Sequence, residues 1–340
     1  MDNDMISNRE YRFIISGALP DKLTAYLFSE RKKDIGFVDY PGSKVGLFLE
    51  FCFLWSRISN GFPVFIKEMM LRKRVSHFSS IPQLTTDYYN RGRICFLMFE
   101  DMLYYEKWDF SGMLRSQFPN AKIVYFFRDI VGSNPVYLEW LRYENKADLI
   151  YTYDQSDAKK YGWKWHNLPY PIERVRNDEK HIYDIFFCGR SKNRYEEIIE
   201  AFEHFEKMGL KCAFFIEDVP DNKQKHKSKI RYNTHINYTT YLEYLNKSKC
   251  VLEITQKNSA GNTLRVNEVI CYGKKLVSNN LHLKDNILYD SRYMQIYNDV
   301  REIDTDFICD GGEVEYGTVN QISLSVLLED ISRDLEMGET

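Results

Sequence analysis

Short apolar runs that suit β-strands alternate with segments of helical periodicity along nearly the whole chain of 340 residues. Alternation of this kind is typical of parallel sheets covered by helices on both faces, so the sequence predicts an α/β protein. The predicted strands are 11–16, 35–38, 94–99, 122–127, 148–153, 183–188, 211–216, 230–236, 250–254 and 275–278. The predicted helices are 45–58, 63–72, 108–117, 136–145, 155–161, 193–208, 238–248, 263–272 and 323–335.

The stretch 259–280, SAGNTLRVNEVICYGKKLVSNN, predicts a loop, a helix and a buried strand in succession. Asn262 or Thr263 can cap the helix, and Gly273 can end it. The free N–H groups at the amino end of such a helix suit an anion, and Arg265 adds a full positive charge there. A phosphate group is therefore one expected ligand, and a capping Thr beside an exposed Arg is the alternative.

The same stretch resembles the donor-binding helix of GT-B glycosyltransferases, in which a Glu holds the ribose of a nucleotide sugar. Glu268-Val-Ile-Cys-Tyr-Gly273 has the spacing of that Glu-Ala-x-x-x-Gly motif, and Thr263-Leu-Arg265 resembles the bacterial lipopolysaccharide and capsule biosynthesis group. Many retaining members carry a second acid where Ala260 stands, so the stereochemical outcome is left open. An ordinary amphipathic helix with a surface Glu is the alternative interpretation.

The resemblance extends with gaps from about residue 120 to residue 300 and implies an architecture. It implies two Rossmann-like doubly wound domains that face each other across a cleft. The charged stretch ERVRNDEK at 173–180 is the expected boundary, which gives domains over 1–174 and 175–316. The terminal segment, 317–340, is expected to carry a helix that packs back on the N-terminal domain.

A second basic loop, FCGRSK, follows the first strand of the C-terminal half. Gly189 permits a tight turn where a ligand approaches, while Arg190 and Lys192 suit a diphosphate. Arg194 is a further candidate, and a solvated turn ahead of the next helix is the alternative. Glu253 lies near the carboxyl end of a predicted strand, where it could touch the donor or face solvent at an edge.

An inverting transfer needs a general base, which GT-B enzymes commonly take from the first domain. Four acids stand at the carboxyl ends of predicted strands and are candidates, although each could also serve as a turn-former or helix cap: Asp39, Glu100, Asp101 and Asp129. Asp304-Thr-Asp306 has the spelling of a metal site but comes after the nucleotide-like elements, so we expect no metal and no cofactor.

Composition restricts the location and partners of the protein. The net charge of −3 does not favour nucleic-acid binding. None of the seven cysteines forms a CxxC pair, and the polar start MDNDMISNRE lacks a signal sequence, so we expect a cytoplasmic protein. Large apolar and basic residues mix over 44–74. Peripheral contact with the inner face of the membrane is one interpretation of that segment, and two core helices with a basic end are the other, which we prefer.

The resemblance to GT-B enzymes implies a hexosyltransferase-like glycosyltransferase. It would move a sugar from a nucleotide sugar to a glycan or lipid-linked glycan acceptor of lipopolysaccharide, capsule or exopolysaccharide, independently of metal. A nucleotide-sugar epimerase of the same two-domain plan is an alternative, and it would require acids and a His grouped in the cleft. A non-catalytic nucleotide- or glycan-binding partner in polysaccharide assembly is another.

Overall fold

The computed structural model describes residues 11–16, 36–38, 93–133, 135–172, 180–255 and 261–338. The candidate base Asp39, the predicted helices 45–58 and 63–72 and the segment 44–74 lie outside these ranges. The chain separates into two compact units, Met1–His166 with Leu327–Thr340, and Asn167–Val326.

The first unit contains a six-stranded sheet in which all strands run parallel. Its spatial order is β2-β1-β3-β4-β5-β6. The strands are β1 (Tyr11–Ser16), β2 (Gly36–Val38), β3 (Arg93–Phe99), β4 (Lys122–Phe127), β5 (Leu149–Thr152) and β6 (Lys164–Trp165). The described α-helices are α1 (Phe110–Gln117), α2 (Pro135–Trp140) and α3 (Gln155–Tyr161), and 3-10 helices cover Glu100–Trp108, Val131–Ser133 and Leu141–Lys146.

The second unit contains another six-stranded parallel sheet, with the order β12-β11-β10-β7-β8-β9. The strands are β7 (Tyr183–Arg190), β8 (Cys212–Glu217), β9 (Arg231–Tyr232), β10 (Ser248–Glu253), β11 (Lys275–Ser278) and β12 (Met294–Ile296). The described α-helices of this unit are α4 (Tyr195–Lys207), α5 (Tyr238–Asn246), α6 (Leu264–Tyr272) and α7 (Thr305–Cys309). A further helix, α8 (Leu324–Met337), begins in this unit and continues in the first. 3-10 helices cover Asp221–Lys223, Leu281–Asp285, Val300–Glu302 and Val319–Ile322.

Each sheet has its own apolar core, and its long strands are largely buried on both faces. Phe96, Tyr125 and Phe127 are fully buried in the first unit, and Phe187 and Phe202 are fully buried in the second. Such strands are continuous apolar runs, which is why the sequence located most of them. The predicted α/β fold with two Rossmann-like parallel sheets is confirmed.

The chain changes from one unit to the other between His166 and Asn167, ahead of the predicted boundary at 174. The reason is local hydrogen bonding within the second unit. The carbonyl of Leu168 accepts from Asn267 Nδ2 at 2.7 Å, and the backbone N–H of Tyr170 donates to the carbonyl of Ile322 at 2.7 Å.

The chain returns to the first unit inside α8, at Val326/Leu327 rather than at 316/317. The hydroxyl of Tyr151 in β5 donates to Asp334 of this helix at 2.6 Å, and Lys164 of β6 forms an ion pair with the same carboxylate at 3.4 Å. None of the described helices is long and apolar enough to cross a lipid bilayer.

Gly273 ends α6 in a left-handed conformation with φ of 59°, and a Cβ there would lie 2.9 Å from the carbonyl oxygen of Val314. Gly162 ends α3 with φ of 71°, but a Cβ there would have no described atom within 4 Å. We expect Gly162→Ala to cost about 1–2 kcal/mol, since only the left-handed conformation is penalised. Gly273→Ala should cost more, because the carbonyl must also move. Urea unfolding of both variants tests this, and equal losses would contradict it.

Candidate functional site

The strand order of the second sheet marks one place where a ligand would bind. β8 and β9 follow β7 on one side, whereas β10, β11 and β12 continue on the other side. If β7 to β12 are renumbered 1 to 6 in chain order, the spatial order read from β9 is 3-2-1-4-5-6, which is the strand order of many nucleotide-binding sheets. Ligands of such sheets bind beyond the carboxyl ends of the strands where the order reverses, which here lies between β7 and β10.

Two arginine side chains meet at the carboxyl end of β7. A Cβ at Gly189 would lie 3.0 Å from Nη2 of Arg265 and 3.4 Å from Nη2 of Arg194. Both guanidinium groups therefore pack on the glycine, and any larger residue at this position would displace at least one of them. The structure thus brings together three of the residues that the sequence singled out.

The guanidinium of Arg265 is charged and incompletely hydrogen-bonded. Its Nη2 donates to the carbonyl of Cys188, and its Nε is buried without a hydrogen-bond partner among the described residues. Burial by itself would lower the pKa of Arg265, but the nearby Tyr241, Glu253 and Glu268 raise it above its ordinary value. One donor on a permanently charged group therefore has no partner among the described residues.

Arg194 is held beside Arg265 by backbone carbonyls. Its Nη1 donates to the carbonyl of Ile254, and its Nε and Nη2 donate to that of Arg190 at 3.3 and 3.2 Å. Burial, followed by the positive charge of Arg265, lowers the pKa of Arg194 to about 10, so it still stays protonated at neutral pH. Two like charges held close together favour a polyanion such as a diphosphate between them.

Glu253, at the end of β10, stabilises the start of α6 through hydrogen bonds. It is fully buried, and its two oxygens accept from the hydroxyl of Thr263 and, at 2.5 Å, from that of Ser278. Thr263 in turn caps α6 by accepting from the backbone N–H of Arg265 at 3.2 Å. Asn262 does not cap the helix, and its amide donates to Asn167 at 3.3 Å.

Glu268 lies on the buried side of α6 and is only 3% exposed. Tyr238 donates to its Oε1 at 3.0 Å and Tyr241 donates to its Oε2 at 2.5 Å. Burial raises the pKa of Glu268 to about 7, although the hydrogen bond from Tyr241 and the charge of Arg265 oppose that rise. Sequence reasoning missed these tyrosines, whose only signal was their separation of three residues on one predicted helix.

The other two predicted phosphate ligands lie at the surface. Arg190 is exposed, and its Nε is 3.5 Å from Asp218 and 4.0 Å from Glu217. Lys192 is exposed and has φ of 43°. A cavity of about 470 Å³ adjoins the carboxylates and is lined by Glu217, Asp218, Val219, Pro220, Asn233 and His235.

The described candidate bases of the first unit differ in their surroundings. Glu100 is buried and accepts from the backbone N–H of Arg128 at 3.0 Å and from its guanidinium at 3.3 Å. Asp129 is exposed and accepts from the N–H of Ile130 at 2.9 Å. Asp101 lies in the 3-10 helix Glu100–Trp108.

Asp304 caps α7 by accepting from the backbone N–H of Asp306 at 2.9 Å. Within the described ranges, no group of three or more His, Cys, Asp or Glu side chains could hold a metal ion.

Comparisons with known proteins identify the fold. Neither a protein-family profile nor a curated protein sequence matches the chain. Among solved structures, the UDP-forming α,α-trehalose-phosphate synthase of Burkholderia xenovorans is similar with a TM-score of 0.56 and 11% identity, covering 97% of this chain and 100% of that one. The corresponding synthase of Burkholderia vietnamiensis has a TM-score of 0.53 and 11% identity, covering 97% and 98%.

A third similar structure is the glycosylation-associated Gap123 complex of Streptococcus agalactiae, with a TM-score of 0.46 and 11% identity. The match covers 81% of this chain and spans only 57% of the length of that chain. The agreement with the two synthases rests on the fold and not on shared sequence. The chain therefore has the fold of these two synthases, which is the GT-B fold.

Proposed function

We propose that the protein is a glycosyltransferase that moves a sugar from a nucleotide-sugar donor to a cell-surface glycan acceptor. The observation that carries the proposal is the pair of guanidinium groups, Arg194 and Arg265, held against Gly189 at the reversal point of a parallel sheet. A diphosphate is the ligand that matches two adjacent, partly buried positive charges. The similar synthases are UDP-forming, which supports a nucleoside diphosphate as the leaving group.

Transfer would proceed through stabilisation of the charge that grows on the leaving diphosphate. Arg194 and Arg265 are fixed by backbone carbonyls, so they need little reorganisation as that charge develops. The amino end of α6, capped by Thr263, supplies backbone N–H groups next to them. Because side chains and a helix end meet the negative charge, we propose that the reaction is independent of metal. Arg190 and Lys192, which lie at the surface, would attract the diphosphate electrostatically over a longer distance.

Glu268 is proposed to bind the ribose of the donor. Its carboxylate accepts hydrogen bonds from hydroxyl groups already, and ribose hydroxyls are donors of the same kind. The four acids of the first domain stay candidates for the general base if the transfer inverts. Lipopolysaccharide, capsule or exopolysaccharide is the proposed acceptor class, and work at the inner face of the cytoplasmic membrane is the proposed setting.

A turnover assay tests this function. The full chain is incubated with single UDP-, GDP-, ADP- and CDP-sugars and a surface-glycan acceptor fraction, and the release of nucleoside diphosphate is measured. We expect one donor class to react, with the same rate in EDTA as in its absence. Tight nucleotide binding without release from any donor would contradict an enzyme and would favour a binding module. Loss of activity in EDTA that is restored by Mn²⁺ would contradict metal independence.

A further inference from the structure

The carboxylate of Glu268 is held by two hydroxyl groups from one neighbouring helix. Tyr238 and Tyr241 both lie on α5, and each donates to a different oxygen of the carboxylate. Their rings stack at 5.7 Å with an angle of 10°, and the ring of Tyr241 also lies 5.2 Å from that of Phe186. The orientation of the carboxylate is therefore fixed by packed aromatic rings.

The hydroxyl of Tyr170 extends this arrangement. It lies 2.5 Å from the hydroxyl of Tyr238. Because Tyr238 gives its own proton to Glu268, Tyr170 must be the donor to Tyr238. Hydrogen bonds in such a chain strengthen one another. The hydrogen bond from Tyr170 therefore makes Tyr238 a stronger donor to the carboxylate of Glu268.

The two tyrosines leave acceptor capacity on the carboxylate. An ionised carboxylate offers about four lone-pair sites, two on each oxygen. Tyr238 uses one site on Oε1 and Tyr241 uses one site on Oε2, which leaves one on each oxygen. Two neighbouring acceptor sites of this kind match the two donors of a vicinal diol, and the ribose of a nucleotide carries such a diol.

We propose that Tyr238 and Tyr241 are positioning residues that orient Glu268 to accept both ribose hydroxyls, and that ribose binding requires the ionised carboxylate. This proposal rests on the proposed function, because it concerns the ribose of the same donor. It adds that the affinity for the ribose depends on pH and that the hydrogen bonds from the tyrosines lower the midpoint of that dependence.

Ionisation of Glu268 depends on all the groups that face it. These groups are Arg265 on its own helix, Glu253 of β10, Cys188 of β7, Tyr238 and Tyr241 of α5, and Tyr170 behind Tyr238. Burial raises the pKa of Glu268 to about 7, and the hydrogen bonds from the two tyrosines lower it from a still higher value. Removing either hydroxyl should therefore shift ionisation to higher pH.

The experiment measures calorimetric affinity between pH 6 and pH 9 for a ribonucleoside diphosphate and its 2′-deoxy counterpart. The probe is whichever of UDP, GDP, ADP and CDP the wild type binds most tightly. At pH 8 the wild type should bind the ribonucleotide about tenfold more tightly than the deoxynucleotide, as expected for one hydrogen bond to a charged group. In Tyr241→Phe this ratio should fall to about twofold or threefold, and the midpoint of the pH profile should rise by about one pH unit.

Two further variants sharpen the result. Tyr238→Phe should also lower the affinity ratio and raise the midpoint of the pH profile, but by less than Tyr241→Phe. The reason is that the hydroxyl of Tyr238 is 3.0 Å from Glu268, whereas that of Tyr241 is 2.5 Å away. Tyr244→Phe is the matched control, because Tyr244 lies on the same helix but its hydroxyl accepts from Arg231. The control should keep both the ratio and the midpoint of the wild type.

The outcomes separate this proposal from the proposed function. If Tyr241→Phe weakens both nucleotides equally and leaves the pH midpoint unchanged, the tyrosines are only structural and the positioning proposal is overturned. If the wild type does not distinguish ribose from deoxyribose, the diol contact is overturned while the donor site stands. If the wild type binds none of the four diphosphates, the proposed function itself fails and this proposal fails with it.

Discussion

Replacement of Arg265 by alanine should slow sugar transfer by roughly 10²–10³-fold, the usual cost of one preorganised contact to developing charge. The charge on the leaving diphosphate grows toward the transition state, and a guanidinium beside it gains most of its interaction there. Arg265 is held in place by the carbonyl of Cys188, and its buried Nε is a donor that no described residue uses. The loss should therefore fall mainly on kcat, with a smaller change in KM.

The measurement is steady-state turnover of the donor that the wild type prefers. Arg265→Lys should recover only part of the rate, because an ammonium group cannot reproduce the planar fork of the guanidinium. Arg292→Ala is a suitable control, since Arg292 is an exposed arginine paired with Asp290. A rate for Arg265→Ala within a fewfold of the wild type would remove this residue from the donor site.

Replacement of Glu268 by glutamine should change how the stability of the protein depends on pH. Burial raises the pKa of Glu268 from its ordinary value of 4.5 to about 7 in the folded protein. A raised pKa means that the folded state binds the proton more tightly than the unfolded state does. The contribution of Glu268 to stability is therefore fully present below about pH 4.5 and is lost as the pH rises through about 7.

The size of the effect follows from the two pKa values. Their difference, at about 1.4 kcal/mol per pH unit, corresponds to a loss of about 3 kcal/mol between pH 4.5 and pH 8. Glu268→Gln lacks this loss, so it should gain stability relative to the wild type by about that amount over the same range. Urea unfolding at several pH values measures it, with Glu302→Gln as a control at an exposed position. If the difference in unfolding free energy between Glu268→Gln and the wild type does not change with pH, the pKa of Glu268 is not raised in the folded protein.

The long, buried elements of this fold could be predicted from the sequence because one local pattern defines each of them. β4 (Lys122–Phe127) and α3 (Gln155–Tyr161) have the predicted bounds. β6 and β12 were not predicted. They have two and three residues, lie outside any predicted strand, and are strands only through pairing with β5 and β11.

The candidate site was partly predictable for a related reason. Thr263, Arg265 and Glu268 lie within one short stretch, so helix periodicity was enough to relate them. The partners of Glu268 are 27 and 30 residues away on another helix, and only the packing of α5 against α6 brings them together. For the same reason the sequence could not show that Glu253 holds Thr263 and Ser278 instead of facing solvent.

The central claim is that the second unit binds a nucleotide donor at the carboxyl ends of β7 and β10. A crystal structure of the full chain with its tightest-binding nucleoside diphosphate tests this most directly. We predict that the diphosphate oxygens lie within hydrogen-bond distance of Arg194 and Arg265, and that the ribose hydroxyls lie within hydrogen-bond distance of Glu268. A nucleotide bound elsewhere, with these three side chains unchanged and without contact to it, would contradict the account.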